Sequence, residues 1–152
     1  MRTYTVKMEN TSVSAAITLI QIKPGISSVV ILRVKVSQSS STTSAMLDVS
    51  LGTCTGTATV TSATPTPHDI DGAAAKAAGG TSATGVNASG EGTTRTDIKR
   101  SSFNVLTGYE WIPTPEERIE VPGGGGTFFY LTLPIAPSAT TFNAEVTFGE
   151  LG

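Results

Sequence analysis

The stretch Val29-Val30-Ile31-Leu32-Arg33-Val34-Lys35-Val36 decides the fold class. Val30, Leu32, Val34 and Val36 fall on one side of an extended chain, with Arg33 and Lys35 on the other. That period of two marks a strand with one buried face, and β-branched residues suit a pleated, half-buried surface. The same period recurs on both sides of it. Upstream, Tyr4, Val6 and Met8 alternate with Thr5 and Lys7, and Ile17, Leu19, Ile20 and Ile22 form a denser apolar run. That run stops at Lys23-Pro24-Gly25, a turn in which proline presets φ and glycine permits positive φ. Downstream, Leu47, Val49 and Leu51 alternate with Asp48 and Ser50, and Phe142, Ala144, Val146 and Phe148 with Asn143, Glu145 and Thr147.

Weaker candidates lie between. Thr55–Thr61 is thin in apolar content (Ala58, Val60) and reads as an edge or partner-covered strand. Phe103–Leu106 and Tyr109–Ile112 flank a turn at Thr107-Gly108. Phe128–Leu133, by contrast, is a strong strand: Phe129, Leu131 and Leu133 share one face and Phe128 and Tyr130 the other, which predicts cover on both sides, from the domain or a neighbouring subunit. At least seven turn-punctuated strands predict an all-β fold, an antiparallel sandwich or barrel of jelly-roll-like type. At 152 residues the chain fits a single domain, 1–152.

Residues 62–94 break the pattern. The stretch is rich in Ala, Gly and Thr, offers little side-chain volume, and is expected to form an extended loop or arm ordered by partners. Within it Asp69–Ala78 could form two helical turns, with Asp71 as N-cap and Gly79 as stop. Deleting 68–92 is accordingly expected to spare the core and weaken assembly. Ser37–Ser44 reads as a polar connection, Pro113–Arg118 as a rigid polar loop, and Gly123–Gly126 as a flexible turn. The glycine run lacks the Gly-Lys-Ser/Thr ending of a phosphate loop.

Chemistry-bearing residues are scarce. Only 14% of the chain is charged, with one histidine and one cysteine among 25 threonines, 16 serines and 16 glycines. Catalysis needs clustered titratable or nucleophilic groups, so the expectation is no enzyme and no cofactor. His68, Asp69 and Asp71 lack the partners a zinc site needs and the spacing of a calcium loop. Cys54 reads as a small buried residue, and Glu116-Glu117 point different ways rather than forming a glycosidase pair. A net charge of −2, with Arg95, Lys99 and Arg100 as the densest cations, gives no footprint for nucleic acid. No run approaches the roughly 20 apolar residues of a membrane span, the amino terminus lacks a signal-like apolar stretch, and a lone cysteine forms no internal disulfide. These features lead to the expectation of cytoplasmic synthesis.

Surfaces remain. Trp111, with Tyr109 between the Gly108 turn and the proline loop, is either a core residue or an anchor at a subunit contact, framed by Arg118. The candidate contact residues are Tyr109, Trp111, Pro113, Pro115, Arg118, Phe128 and Tyr130.

Three blocks carry a resemblance: Arg2-Thr3-Tyr4-Thr5-Val6-Lys7-Met8-Glu9-Asn10 with Leu19-Ile20-Gln21-Ile22-Lys23-Pro24; Gly108-Tyr109-Glu110-Trp111-Ile112-Pro113 with Pro115-Glu116-Glu117-Arg118; and Phe148-Gly149-Glu150-Leu151-Gly152. Together they resemble a family of small structural proteins of tailed bacteriophages, at both ends of the chain but not in 62–94. The resemblance implies a virion component made in the host bacterial cytoplasm. Its implied role is a capsid cement or decoration protein, a homotrimer on the capsid surface whose partner is the major capsid protein. A tail, adaptor or head-fibre component is the alternative, followed by a carbohydrate- or cell-binding module.

Overall fold

A computed structural model describes residues 1–39, 44–138 and 140–152, so part of the Ser37–Ser44 connection lies outside the described residues. Twelve strands run along them: β1 (Arg2–Val13), β2 (Thr18–Ile22), β3 (Ser28–Gln38), β4 (Met46–Cys54), β5 (Thr59–Ser62), β6 (Thr66–Pro67), β7 (Gly85–Gly90), β8 (Arg95–Asn104), β9 (Tyr109–Trp111), β10 (Glu120–Val121), β11 (Phe128–Thr132) and β12 (Thr140–Leu151). Sheet A is ordered β10-β3-β12-β1-β6, with β9 also paired to β3; sheet B is β5-β7-β2-β11-β4-β8. All pairings between these strands are antiparallel.

Without β5, β6 and β7 the order reduces to β9-β3-β12-β1 against β2-β11-β4-β8. Counting β9 and β10 as one broken strand, every connection crosses between sheets except β4 to β8. That is jelly-roll connectivity, in an open sandwich rather than a closed barrel. The core lies between the sheets. Tyr4, Met8, Phe142 and Phe148 from sheet A meet Ile20, Ile22, Leu51, Phe129 and Leu131 from sheet B, all essentially without exposure. Tyr4 and Phe148, opposite each other in register, stack with centroids 5.7 Å apart; such a pair adds about 1 kcal/mol beyond its area.

The opening strand is correctly read in its second half only. A register shift opposite Thr147 and Phe148 makes Leu32 an extra residue of β3. Val34 and Val36 point inward as expected, but Ile31 is fully buried and Leu32 is half-buried. A one-residue bulge reverses the faces on one side of it.

Residues 62–94 are not a free arm, and Asp69–Ala78 is not helical. The segment belongs to the long excursion between β4 and β8, which adds β5 and β7 to sheet B and β6 to the edge of β1. Ala77 and Thr84 are fully buried. Side chains of the sandwich pin the excursion by its backbone: Gln21 Nε2 donates to Ala83 O at 2.7 Å, Ala77 N donates to Glu150 Oε1 at 2.8 Å, and the Tyr4 hydroxyl donates to Ala73 O at 3.1 Å. Low side-chain volume is what permits this fit. A Cβ on Gly85 would collide with the Thr61 carbonyl, and one on Gly25 with that of Lys76. Thr55–Thr61 yields a strand only at Thr59–Ser62, at the edge of sheet B as expected.

Candidate functional site

Tyr109 and Trp111 both lie on β9, opposite Val36 and Val34 of β3. The turn delivering them is built by Asn104. Its carbonyl accepts the N–H groups of Thr107 (3.1 Å) and Gly108 (3.0 Å), and its side-chain oxygen accepts that of Leu106 at 2.9 Å. This is an Asx turn. Gly108 closes it at φ 74°, a conformation that favours glycine.

Both rings are half-buried against the core, so Trp111 is in part a core residue. Tyr109 packs on Phe103 with centroids 6.0 Å apart. Burial pushes its hydroxyl pKa up, with Ser101 opposing. The Trp111 ring carries the Lys99 ammonium 5.6 Å from its centroid. Lys99 is on β8, the edge of sheet B, and Trp111 is on the edge of sheet A, so this contact closes the open side of the sandwich.

Beyond β9 the chain leaves the sheet. Pro113 is buried, and Pro115 opens a 3-10 turn, Pro115–Glu117, in which Glu117 N–H donates to Thr114 O at 3.0 Å. The chain returns where Ile31 N–H donates to Ile119 O at 2.9 Å and β10 pairs with Val29 and Val30. Between turn and edge lies a cleft of about 470 Å³ lined by Ile98, Lys99, Trp111, Glu116, Glu117, Arg118, Ile119 and Glu120. Pro115 and Arg118 are exposed at its rim. Ile98 and Ile112 are 54% and 65% exposed, and the charges around the indole are mixed, with Lys99 and Arg118 set among Glu116, Glu117 and Glu120.

Phe128 and Tyr130 do not join this corner. They sit on the outer face of sheet B with Cys54, and the chain itself buries them. The Lys23 ammonium lies 5.6 Å from the Phe128 centroid, and the Arg95 guanidinium 4.7 Å from that of Tyr130. The Tyr130 hydroxyl donates to Asp97 Oδ1. Burial, then this hydrogen bond to Asp97, raises the Tyr130 pKa, and the same bond holds Asp97 below the usual carboxylate range. Beside them Glu91 accepts the Thr18 N–H at 2.8 Å and hydroxyl at 2.6 Å and pairs with Arg95. Both rings are therefore covered without a second subunit, and their place as contact residues is corrected. Burial likewise raises the Cys54 thiol, with Arg95 opposing, in keeping with a buried residue.

No strand is legible over 95–102, because Ile98 is the only apolar residue of that stretch and the register shift between Leu51 and Gly52 makes it an extra residue of β8. The sequence reading also missed Gln21, Glu91 and Asp97 as the polar side chains that hold the outer layer. His68 Nε2 lies 2.6 Å from Thr5 Oγ1. Among the described residues no three His, Cys, Asp or Glu side chains gather as a metal site, and no helix is long and apolar enough to cross a membrane. No family model matches the chain, and no curated protein or solved structure matches it either.

Proposed function

We propose that this chain is a structural protein that works by docking on other subunits, as a capsid decoration (cement) protein of a tailed bacteriophage. Its partner is the major capsid protein, on the outer surface of the head. One observation carries the reading: the Trp111 corner, where a half-buried indole under Lys99 is bordered by the exposed side chains of Ile98, Ile112 and Arg118. Tryptophan and arginine dominate the energetics of protein–protein contacts, above all where a pocket excludes water around them. The jelly roll is compatible with this role but does not select it, since the same architecture serves capsid and lectin domains. The sequence blocks around Gly108–Pro113 and Pro115–Arg118, which carry the phage resemblance, fall in this corner.

Purified protein mixed with undecorated heads tests the reading. Saturable co-sedimentation that Trp111→Ala and Arg118→Ala each weaken is the expected result, and the solution mass reads whether the free protein is the homotrimer the resemblance implies. Failure to bind heads, together with labelling confined to the tail or head fibres in electron micrographs, would sink the capsid assignment. The same tryptophan beside Glu116 and Glu117 also suits a sugar ring. Glycan binding lost in Trp111→Ala would favour that second reading.

A further inference from the structure

The outer face of sheet A is bare, whereas the excursion covers that of sheet B. One row of this bare face crosses four strands in register: Lys7 on β1 opposite Glu145 on β12, Glu145 opposite Lys35 on β3, and Lys35 opposite Glu110 on β9. The signs run plus, minus, plus, minus. The two outer charges have partners within the chain, Lys7 with Glu9 at 2.9 Å and Glu110 with Arg33. Among the described residues, the two central charges, Glu145 and Lys35, form no ion pair within 4.0 Å.

We propose that this face docks on the same face of a second copy, about a two-fold axis that runs parallel to the strands between β12 and β3. The charge order selects both the partner and the axis. Rotation about that line reverses the row, so Glu145 faces the second copy's Lys35, and Lys7 faces its Glu110. Each central charge gains an ion-pair partner at contact distance, whereas within the chain Glu145 acts on Lys7 and Arg33 only from beyond ion-pair distance. The in-plane axis perpendicular to the strands would set Lys7 on Lys7 and Glu145 on Glu145, which is repulsive. In a neighbouring row Asn143 meets Ser37 under the favoured rotation, the two being cross-strand neighbours on β12 and β3. Such a contact is isologous, the form that closed dimers use.

The size of the face sets the strength. Four strands about 4.8 Å apart and up to 12 residues long offer on the order of 600 Å² per copy. That falls below the about 800 Å² per partner of a standard interface. The dimer is therefore weak, and salt loosens it by screening. It uses Glu110 of β9 but not the Trp111 side chain, and it stands whether or not the capsid reading holds.

Sedimentation of the full chain from about 10 µM to about 1 mM at low salt, the range in which weak interfaces associate, is the test. The expected mass rises from one chain toward two and falls back on adding salt. Glu145→Lys and Lys35→Glu each place like charges at both central contacts and should weaken association about tenfold or more. An equimolar mixture of the two should associate again, because only between unlike chains are the central contacts opposite in sign. Inside each chain the 145–35 pair stays like-charged, so recovery cannot come from repair of the sheet. Thermal unfolding checks each fold, and Glu145→Gln with Lys35→Gln provide a milder pair that must also weaken association. A wild-type mass fixed at one chain overturns the proposal. So does association indifferent to the substitutions, including a trimer they leave intact, or a mixture that stays monomeric while wild type pairs.

Discussion

The side-chain oxygen of Gln21 accepts the backbone N–H of Ala58 at 2.8 Å, inside the layer between sheet B and the excursion that crosses it. The same carboxamide donates to Thr57 Oγ1 at 3.1 Å and to Ala83 O at 2.7 Å. One fully buried glutamine thus joins β2 to two separate parts of the excursion. Gln21→Leu leaves a buried N–H and a buried carbonyl unpaired and is expected to lower stability by about 3 kcal/mol. Urea denaturation should show the loss as a shifted midpoint at unchanged slope.

This anchoring reverses the expectation for deletion of 68–92. Removing those residues takes away β7, the strand that joins β2 to β5, and strips the partners of Tyr4, Gln21 and Glu150. The shortened chain should lose its cooperative thermal transition. A retained sharp transition near the wild-type midpoint would show that the excursion is dispensable after all.

Substitutions at the candidate corner should separate stability from docking. Trp111→Ala removes a half-buried indole and should cost about 2 kcal/mol, less than the 3–5 of a fully buried aromatic. Lys99→Ala should cost about 0.5–1 kcal/mol through loss of the cation–π contact. Arg118→Ala, at an exposed rim, should stay within about 0.5 kcal/mol of wild type. If Arg118→Ala nevertheless weakens partner binding, the corner acts as a contact surface and not only as part of the scaffold.

Acid should destabilise the fold in a defined window. Ser102, then Arg100, holds the Asp48 carboxyl below its usual value, and the Tyr130 hydroxyl does the same for Asp97. A carboxylate depressed in the folded state stabilises above its unfolded pKa and loses that contribution as pH falls through the folded one. Stability should therefore hold from pH 7 to about 5 and decline below about 4. Tyr130→Phe should cost about 1 kcal/mol at neutral pH, with the gap to wild type narrowing below about pH 4 as Asp97 protonates. A gap that is constant with pH would detach the hydroxyl from Asp97.

Two glycines should respond in opposite directions. A Cβ at Gly52 would run into the Thr96 carbonyl and crowd the Tyr130 hydroxyl, so Gly52→Ala should cost several kcal/mol by forcing β4 and β8 apart. Gly126 has open space and no positive φ, so Gly126→Ala should gain about 0.4–1 kcal/mol by restricting the unfolded chain. Differential scanning calorimetry on both variants checks the signs.

The strands with one buried face, β1, β3, β4 and β12, were legible because apolar residues recur at every second position, and β11 because its run Phe128–Leu131 is apolar on both faces. Legibility failed where the chain departs from that rhythm. The bulge at Leu32 inverted one half of β3, and over 95–102 β8 offers only the apolar Ile98, the extra residue at the irregularity beside Gly52. The excursion misled because low side-chain volume serves both a loose loop and a backbone lying flat on a sheet. Only the buried Gln21 and Glu150 distinguish these cases, and their burial is decided by distant partners. At the corner, Trp111 and Arg118 could be named from composition, whereas Lys99 required knowing that the edges of two sheets meet.

The edge of β3 is closed by two short stitches, β9 and β10, with the chain bowing away between them from Ile112 to Ile119. Each stitch fixes its end of the bow through backbone hydrogen bonds, which place few demands on the residues in between. Length and the exposed side chains along 112–118 can therefore drift under selection while the sandwich and the buried Pro113 stay in place. A lineage could retarget this protein to a changed partner by altering the exposed residues of this bow and leaving its folding untouched.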